Sequence, residues 1–217
     1  MTTLVKICGL STPETLDVAL DAGADAVGFV FFPSSPRNIS FQTARELSAR
    51  VKGRAKKVAL TVDAGDTMLT SIVEALHPDM LQLHGEETPA RVSAIHQRFD
   101  LPVMKVLAIE SKADLGAIPL YAKIADRLLF DARAPRDATR PGGLGKPFDW
   151  HLLENLDLSI PFMLSGGLNG DNVAEALGIT HAGGVDVSSG VESAPGVKDP
   201  EKIRAFIRAA RSAKVPA

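Results

Sequence analysis

Short apolar runs rich in Val, Leu, Ile and Phe alternate along this chain with longer segments whose apolar residues recur at helical spacing. The runs predict strands over Leu4–Cys8, Ala26–Phe31, Lys57–Val62, Met80–His84, Val103–Leu107, Arg127–Asp131, Phe162–Ser165 and Gly184–Ser188. Between them, helices are expected over Pro13–Ala22, Phe41–Val51, Thr67–Leu76 and Pro89–Arg98, opened by the capping side chains of Thr12, Ser40, Asp66 and Thr88. Later helices cover about Lys112–Ile118, Asp149–Leu156, Gly170–Leu177 and, after Asp199, Pro200–Ser212. Nothing reads as a linker or a low-complexity tract. Eight strand and helix pairs in 217 residues therefore predict one α/β domain over residues 1–217, a (β/α)8 TIM barrel. The alternative, an open doubly wound sheet, wants a nucleotide fingerprint, and neither G-x-G-x-x-G after a strand nor a Walker sequence occurs.

In a barrel of this kind chemistry sits at the C-terminal ends of the strands, and the alternation of strand side chains sorts the residues there. Lys6 and Cys8 share one face of the first strand, leaving Val5 and Ile7 for the helices. Gln82 pairs with His84 on the fourth strand, Leu129 with Asp131 on the sixth and Asp186 with Ser188 on the eighth, while the fifth offers Lys105 with Val103 and Leu107. Each group has a structural explanation by itself. A lysine and an aspartate on neighbouring strands make an ion pair, and a lone cysteine packs as a small hydrophobe. Their convergence at one end of a barrel predicts a site.

Composition narrows the function classes. With 24 basic and 26 acidic residues the formal charge is −2, so no global field recruits nucleic acid or an anionic membrane. Cys8 is the single cysteine, which excludes an internal disulfide framework and favours a reducing, cytoplasmic setting. The opening "MTTLVKICGL" runs into a strand without the features of a secretory signal, and no apolar run approaches the ~18 residues of a membrane span.

The loops carry the binding chemistry. "LSGGLN", Leu164–Asn169, leaves the seventh strand through Gly166 and Gly167, whose bare backbone admits an anion, with Asn169 just before the next helix. "VDVSSGVE", Val185–Glu192, presents Ser188, Ser189 and Gly190 in the same way after the eighth. The loops after strands seven and eight bind phosphate in many such barrels. After the second strand, Pro33 and Pro36 stiffen a loop that presents Arg37, a planar fork suited to a carboxylate. The connection Ala132–Trp150 is far longer than an ordinary βα loop and reads as a lid or binding loop, with Gly142, Gly143 and Gly145 in it; Arg133, Arg136 and Arg140 have an equal claim to be solvated charge. "KGRAKK", Lys52–Lys57, reads as a solvated run on the opposite face, and "HGEE", His84–Glu87, lacks the spacing of a metal site.

"KICGL", "SPR", "LQLHG", "LLFDA", "GGLGKPFDW", "LSGGLN" and "DVSSGVE", in this order over nearly the whole chain, resemble the phosphoribosylanthranilate isomerase family of tryptophan biosynthesis. The resemblance implies a barrel of the ribulose-phosphate-binding type and an Amadori rearrangement of N-(5-phosphoribosyl)anthranilate, without metal or organic cofactor. By position it implies Cys8 as general base, Asp131 as general acid, Arg37 on the substrate carboxylate, the two loops on phosphate and Asp186 in support. Lys6, His84, Gly143 and Gly145 complete the expected site. Lys6 beside Cys8 is expected to favour the thiolate, and partial burial to keep Asp131 protonated part of the time. The expected partner is a phosphorylated small molecule; monomer and homodimer are both open. The competing readings are another phosphosugar isomerase on the same barrel and a metabolite-binding regulator without turnover.

Overall fold

The strands pair in chain order and all in parallel, and the eighth returns to the first, so the sheet is a closed barrel. This computed structural model describes residues 3–135, 138, 141–143 and 147–213. The staves are β1 (Leu4–Cys8), β2 (Ala26–Phe31), β3 (Lys56–Thr61), β4 (Met80–Leu83), β5 (Val103–Ile109), β6 (Arg127–Ala132), β7 (Phe162–Leu164) and β8 (Gly184–Val187). Closure rules out the open doubly wound sheet.

Helices α1 (Pro13–Asp21), α2 (Phe41–Val51), α3 (Asp66–Leu76), α4 (Pro89–Phe99), α5 (Ile118–Tyr121), α6 (Val173–Thr180) and α7 (Pro200–Ser212) occupy the crossovers. The side chains of Thr12, Ser40, Thr88 and Asp199 cap α1, α2, α4 and α7, each accepting from an amide of the first turn that has no partner within the helix. Asp66 is not a cap. Gly65 fills that position and Asp66 is the first helical residue, where its carboxylate accepts from Arg91 at 2.6 Å. The segment expected as a helix over Lys112–Ile118 is a 3-10 turn, Lys112–Ala117, leading into the four-residue α5; Gly116 and Pro119 interrupt it. Asp149–Leu156 likewise holds only a 3-10 turn, Trp150–Leu153. An antiparallel hairpin that the sequence pattern did not suggest, β9 (Glu192–Ala194) and β10 (Val197–Lys198), follows a 3-10 turn at Ser189–Val191.

Side-chain parity builds two cores. Val5, Ile7, Phe29, Leu81 and Phe130 point outward and pack beneath helix residues such as Leu16, Leu47, Ile72 and Phe206. Inside the barrel, Val58, Met104, Val106, Leu129 and Met163 form an apolar plug. Above it, Cys8, Val30 and Leu60 make a small cluster that floors the C-terminal mouth. Lys105 falls on the other parity from Met104 and Val106 and so faces away from the mouth. Its buried ammonium donates to Leu83 O at 3.2 Å, Gly85 O at 2.6 Å and Glu87 Oε2 at 2.8 Å, fixing the turn after β4. The run Lys52–Lys57 is likewise more than solvated: Arg54 pairs with Asp21 and Lys57 donates to Ser48 Oγ and Leu76 O.

Candidate active site

The mouth holds a cavity open to solvent, lined by residues from the ends of strands β1 to β4 and β6 to β8. β1 contributes the thiol. The 1-to-1 register of β1 with β8 sets Lys6 beside Asp186, and Lys6 Nζ donates to Asp186 Oδ1 at 2.8 Å with both residues buried. Cys8 sits one pleat higher, 3 % exposed, and lines the cavity. Room for both comes from Gly28 on β2, level with Cys8: a Cβ there would stand 2.9 Å from Cys8 Sγ and 2.9 Å from Lys6 Nζ. Burial tends to lower the Lys6 pKa, but Asp186 and Cys8 outweigh it and hold the ammonium above its ordinary value. For Cys8 the balance opposes the expectation that Lys6 favours the thiolate. Burial pushes the thiol up, Lys6 pulls it down, Asp186 pushes it up again, and the net direction is upward. Asp186 neutralises much of what Lys6 offers.

Asp131 is the last residue but one of β6, three staves away around the ring. Its Oδ1 accepts from the amide of Ala132 at 2.9 Å, and its Oδ2 lies 3.2 Å from His84 Nε2. Two glycines crowd it. A Cβ on Gly142 would come within 2.6 Å of Oδ2 and one on Gly166 within 3.0 Å of Oδ1, so the long loop after β6 and the loop after β7 both close over the carboxyl. His84 and Glu87 of "HGEE" diverge, one toward Asp131 and the other toward Lys105, which removes any shared ligand geometry.

Arg37 is clamped. Its Nε and Nη2 donate to Glu192 Oε1 and Oε2 at 2.7 and 2.8 Å, and Nη2 also reaches Gly143 O at 3.3 Å. Among the described residues its Nη1 donates to none, and Arg37 lines the cavity. Glu192 in turn accepts from Lys198 Nζ at 2.7 Å, and that buried ammonium also donates to Ser188 O and Ser188 Oγ. Arg37 and Lys198 share this one carboxylate, and burial outweighs the attraction of Glu192 and holds the Lys198 ammonium below its ordinary pKa. Burial raises the Glu192 pKa, but the Arg37 hydrogen bonds and Lys198 outweigh it and hold the carboxyl below its ordinary value.

The loops after β7 and β8 meet. Gly166 and Gly167 hold φ of 85° and 65°, and among the described residues neither donates its amide. Both line the cavity together with Ser188 and Ser189. Gly190 does not; a Cβ there would stand 1.8 Å from Leu168 O, so its work is to let the two loops touch. Nor does Asn169 line it: its Oδ1 accepts from the amides of Asp171 and Asn172 and shapes the turn that delays α6 until Val173. Gly143 covers Arg37 with φ of 71°, whereas Gly145, Arg136 and Arg140 lie outside the described residues. Arg133 lines the cavity wall while its guanidinium turns out to Asp114 and Ala108 O.

A family model for N-(5'phosphoribosyl)anthranilate (PRA) isomerase matches residues 5–209. The chain belongs to this family. An N-(5'-phosphoribosyl)anthranilate isomerase of Bradyrhizobium diazoefficiens is 69 % identical over 212 residues, covering 98 % of this chain and 95 % of that one. The PRA isomerase of Thermotoga maritima is 36 % identical, with a TM-score of 0.87 over 96 % of this chain and 98 % of that one. Another solved PRA isomerase, in complex with reduced 1-(o-carboxyphenylamino)-1-deoxyribulose 5-phosphate, is 32 % identical with a TM-score of 0.82 over the same shares. Within this PRA isomerase family member, no helix among the described residues is long and apolar enough to cross a membrane. Three residues of its mouth escaped the sequence reading. Gly28 carried a signal, a glycine in the middle of a strand, which marks a close approach. Glu192 stood inside a recognised motif without a role, and Lys198 carried no signal.

Proposed function

We propose that the chain catalyses the Amadori rearrangement of N-(5'-phosphoribosyl)anthranilate to 1-(2-carboxyphenylamino)-1-deoxyribulose 5-phosphate in tryptophan biosynthesis, with Cys8 as general base and Asp131 as general acid. The observation that carries the reading is that a thiol and a carboxyl from strand ends three staves apart line one cavity, with Arg37 at its rim and the glycine amides of the β7 loop at another side. Asp131 gives its proton to the ring oxygen as the C1–O bond breaks, and the anthranilate nitrogen lone pair closes the Schiff base. The Cys8 thiolate then takes the proton from C2; that electron pair forms the C1–C2 double bond and the iminium electrons return to nitrogen. The enolamine becomes the ketone as the C2 hydroxyl loses its proton and C1 gains one. The phosphate accepts from Gly166 and Gly167 amides and from Ser188 and Ser189, and the anthranilate carboxylate meets the Nη1 edge of Arg37 that Glu192 leaves open. Loss of the fluorescence of the anthranilate adduct on addition of purified protein tests the activity; no turnover above background refutes it.

Arg37→Ala is expected to weaken a carboxylate-bearing product analogue by roughly 1.5 to 3 kcal/mol, the range for a hydrogen bond to a charged group, and to leave a plain sugar phosphate nearly unchanged. Titration calorimetry with both ligands decides it, and equal weakening of the two refutes the carboxylate assignment. Glu192 is read by stability instead. Its pKa is held below the ordinary 4.5, so its charge stabilises the fold above that pH and the benefit is lost as pH falls through the depressed value. Glu192→Gln should therefore cost about 3 kcal/mol near neutrality, by leaving Arg37 and Lys198 without their shared anion. In urea unfolding the difference from the unsubstituted protein should shrink as the pH drops below 4.5; a gap independent of pH would contradict the pairing.

A further inference from the structure

Gln82 is fully buried on β4, lines the active-site cavity, and neither its Oε1 nor its Nε2 has a hydrogen-bond partner among the described residues. Buried polar atoms are seldom left so, because an unmatched amide costs stability that an apolar side chain of the same shape would not. Gln82 does not brace the catalytic pair. Asp131 Oδ1 accepts from Ala132 N, its Oδ2 lies 3.2 Å from His84 Nε2, Lys6 donates to Asp186, and neither Gln82 atom bonds to any of them. Its level neighbours on β3 and β5, Leu60 and Met104, are apolar. The amide therefore looks to whatever enters the cavity.

The chemistry of that group follows from the amide itself. A primary amide presents two donors and an acceptor in one plane. A carboxylate or a phosphate dianion only accepts and would leave Oε1 bare, and those charges already have Arg37 and the β7 and β8 loops. A hydroxyl both donates and accepts. We propose that Gln82 is the sugar-recognition residue of this site, hydrogen-bonded to the C2 or C3 hydroxyl of the phosphorylated substrate and so fixing the reacting C1–C2 bond between Cys8 and Asp131. The assignment rests on the isomerase reading above, which supplies the sugar. It explains why a position beside an apolar plug is polar: the amide is satisfied in the complex and orphaned without it.

The test uses the reduced product analogue, in which C2 bears a hydroxyl, and its C2-deoxy and C3-deoxy forms, titrated against the unsubstituted protein and Gln82→Met. One deoxy analogue should bind the unsubstituted protein about tenfold more weakly than the full analogue. Gln82→Met should weaken the full analogue by a similar factor, bind that deoxy analogue as well as the unsubstituted protein does, keep its affinity for inorganic phosphate, and unfold at the same or a higher temperature. Rising stability with falling affinity is the mark of a group retained for binding. Unchanged affinity for both deoxy analogues on the unsubstituted protein overturns the proposal, and that arm needs no variant. A variant that loses the full and both deoxy analogues equally overturns it as well. Failure of the unsubstituted protein both to bind the full analogue and to turn over substrate removes the isomerase reading, and this assignment with it.

Discussion

Cys8→Ser is expected to lower kcat by two orders of magnitude or more while leaving the fold and the affinity for a phosphate analogue nearly intact, because a positioned proton-transfer group is worth ~10² to 10⁴-fold. Serine fills almost the same space in the cluster with Val30 and Leu60, so packing is preserved. What it loses is the anion. The thiol, pushed above its ordinary 9.0 by burial, is already scarce as thiolate near neutrality, and a hydroxyl is far scarcer. The same direction of shift predicts a pH profile: kcat/KM of the unsubstituted protein should climb from neutral pH toward the thiol's raised value, and the Cys8→Ser profile should lack that rise. Steady-state assays across this range decide the matter. Near-normal turnover of the serine variant, on protein free of host enzyme, would return Cys8 to a packing role.

The barrel was legible because parallel staves are short apolar runs and their crossovers announce themselves through caps, as at Thr12, Ser40 and Thr88. Parity told the inward face reliably where a polar residue broke an apolar run near a strand end, as with Cys8, His84, Asp131 and Asp186, all of which line the cavity. It misled at Lys105. A stave buried on both faces has no contrast between Val103, Lys105 and Leu107 on one side and Met104 and Val106 on the other, and only the folded barrel shows which set faces in. Long-range partners were hidden for a different reason. Arg37 and Glu192 are 155 positions apart, and no spacing rule connects a loop after β2 with a hairpin after β8. The thiol's upward shift was equally out of reach, since burial and the neutralising grip of Asp186 on Lys6 belong to the assembled mouth.

Asp131→Asn should match the loss in Cys8→Ser in size and differ from it in kind. The carboxamide keeps the shape, and its oxygen can still accept from Ala132 N, so the loops carrying Gly142 and Gly166 have no cause to move. It cannot deliver an acidic proton. The ring oxygen then leaves as an unprotonated alkoxide, the C1–O bond resists cleavage, and turnover should fall by ~10² to 10⁴-fold before any Schiff base forms. A substrate supplied with its ring already open bypasses that step. On such a substrate the Asp131→Asn protein should recover most of its rate, because the proposed mechanism leaves proton removal at C2 to Cys8, whereas Cys8→Ser should stay slow on both. If the two variants respond alike to the opened substrate, the division of acid from base between β6 and β1 is wrong. If Cys8→Ser alone recovers, the roles are reversed, with Asp131 taking the C2 proton and the buried thiol, held protonated by its surroundings, opening the ring.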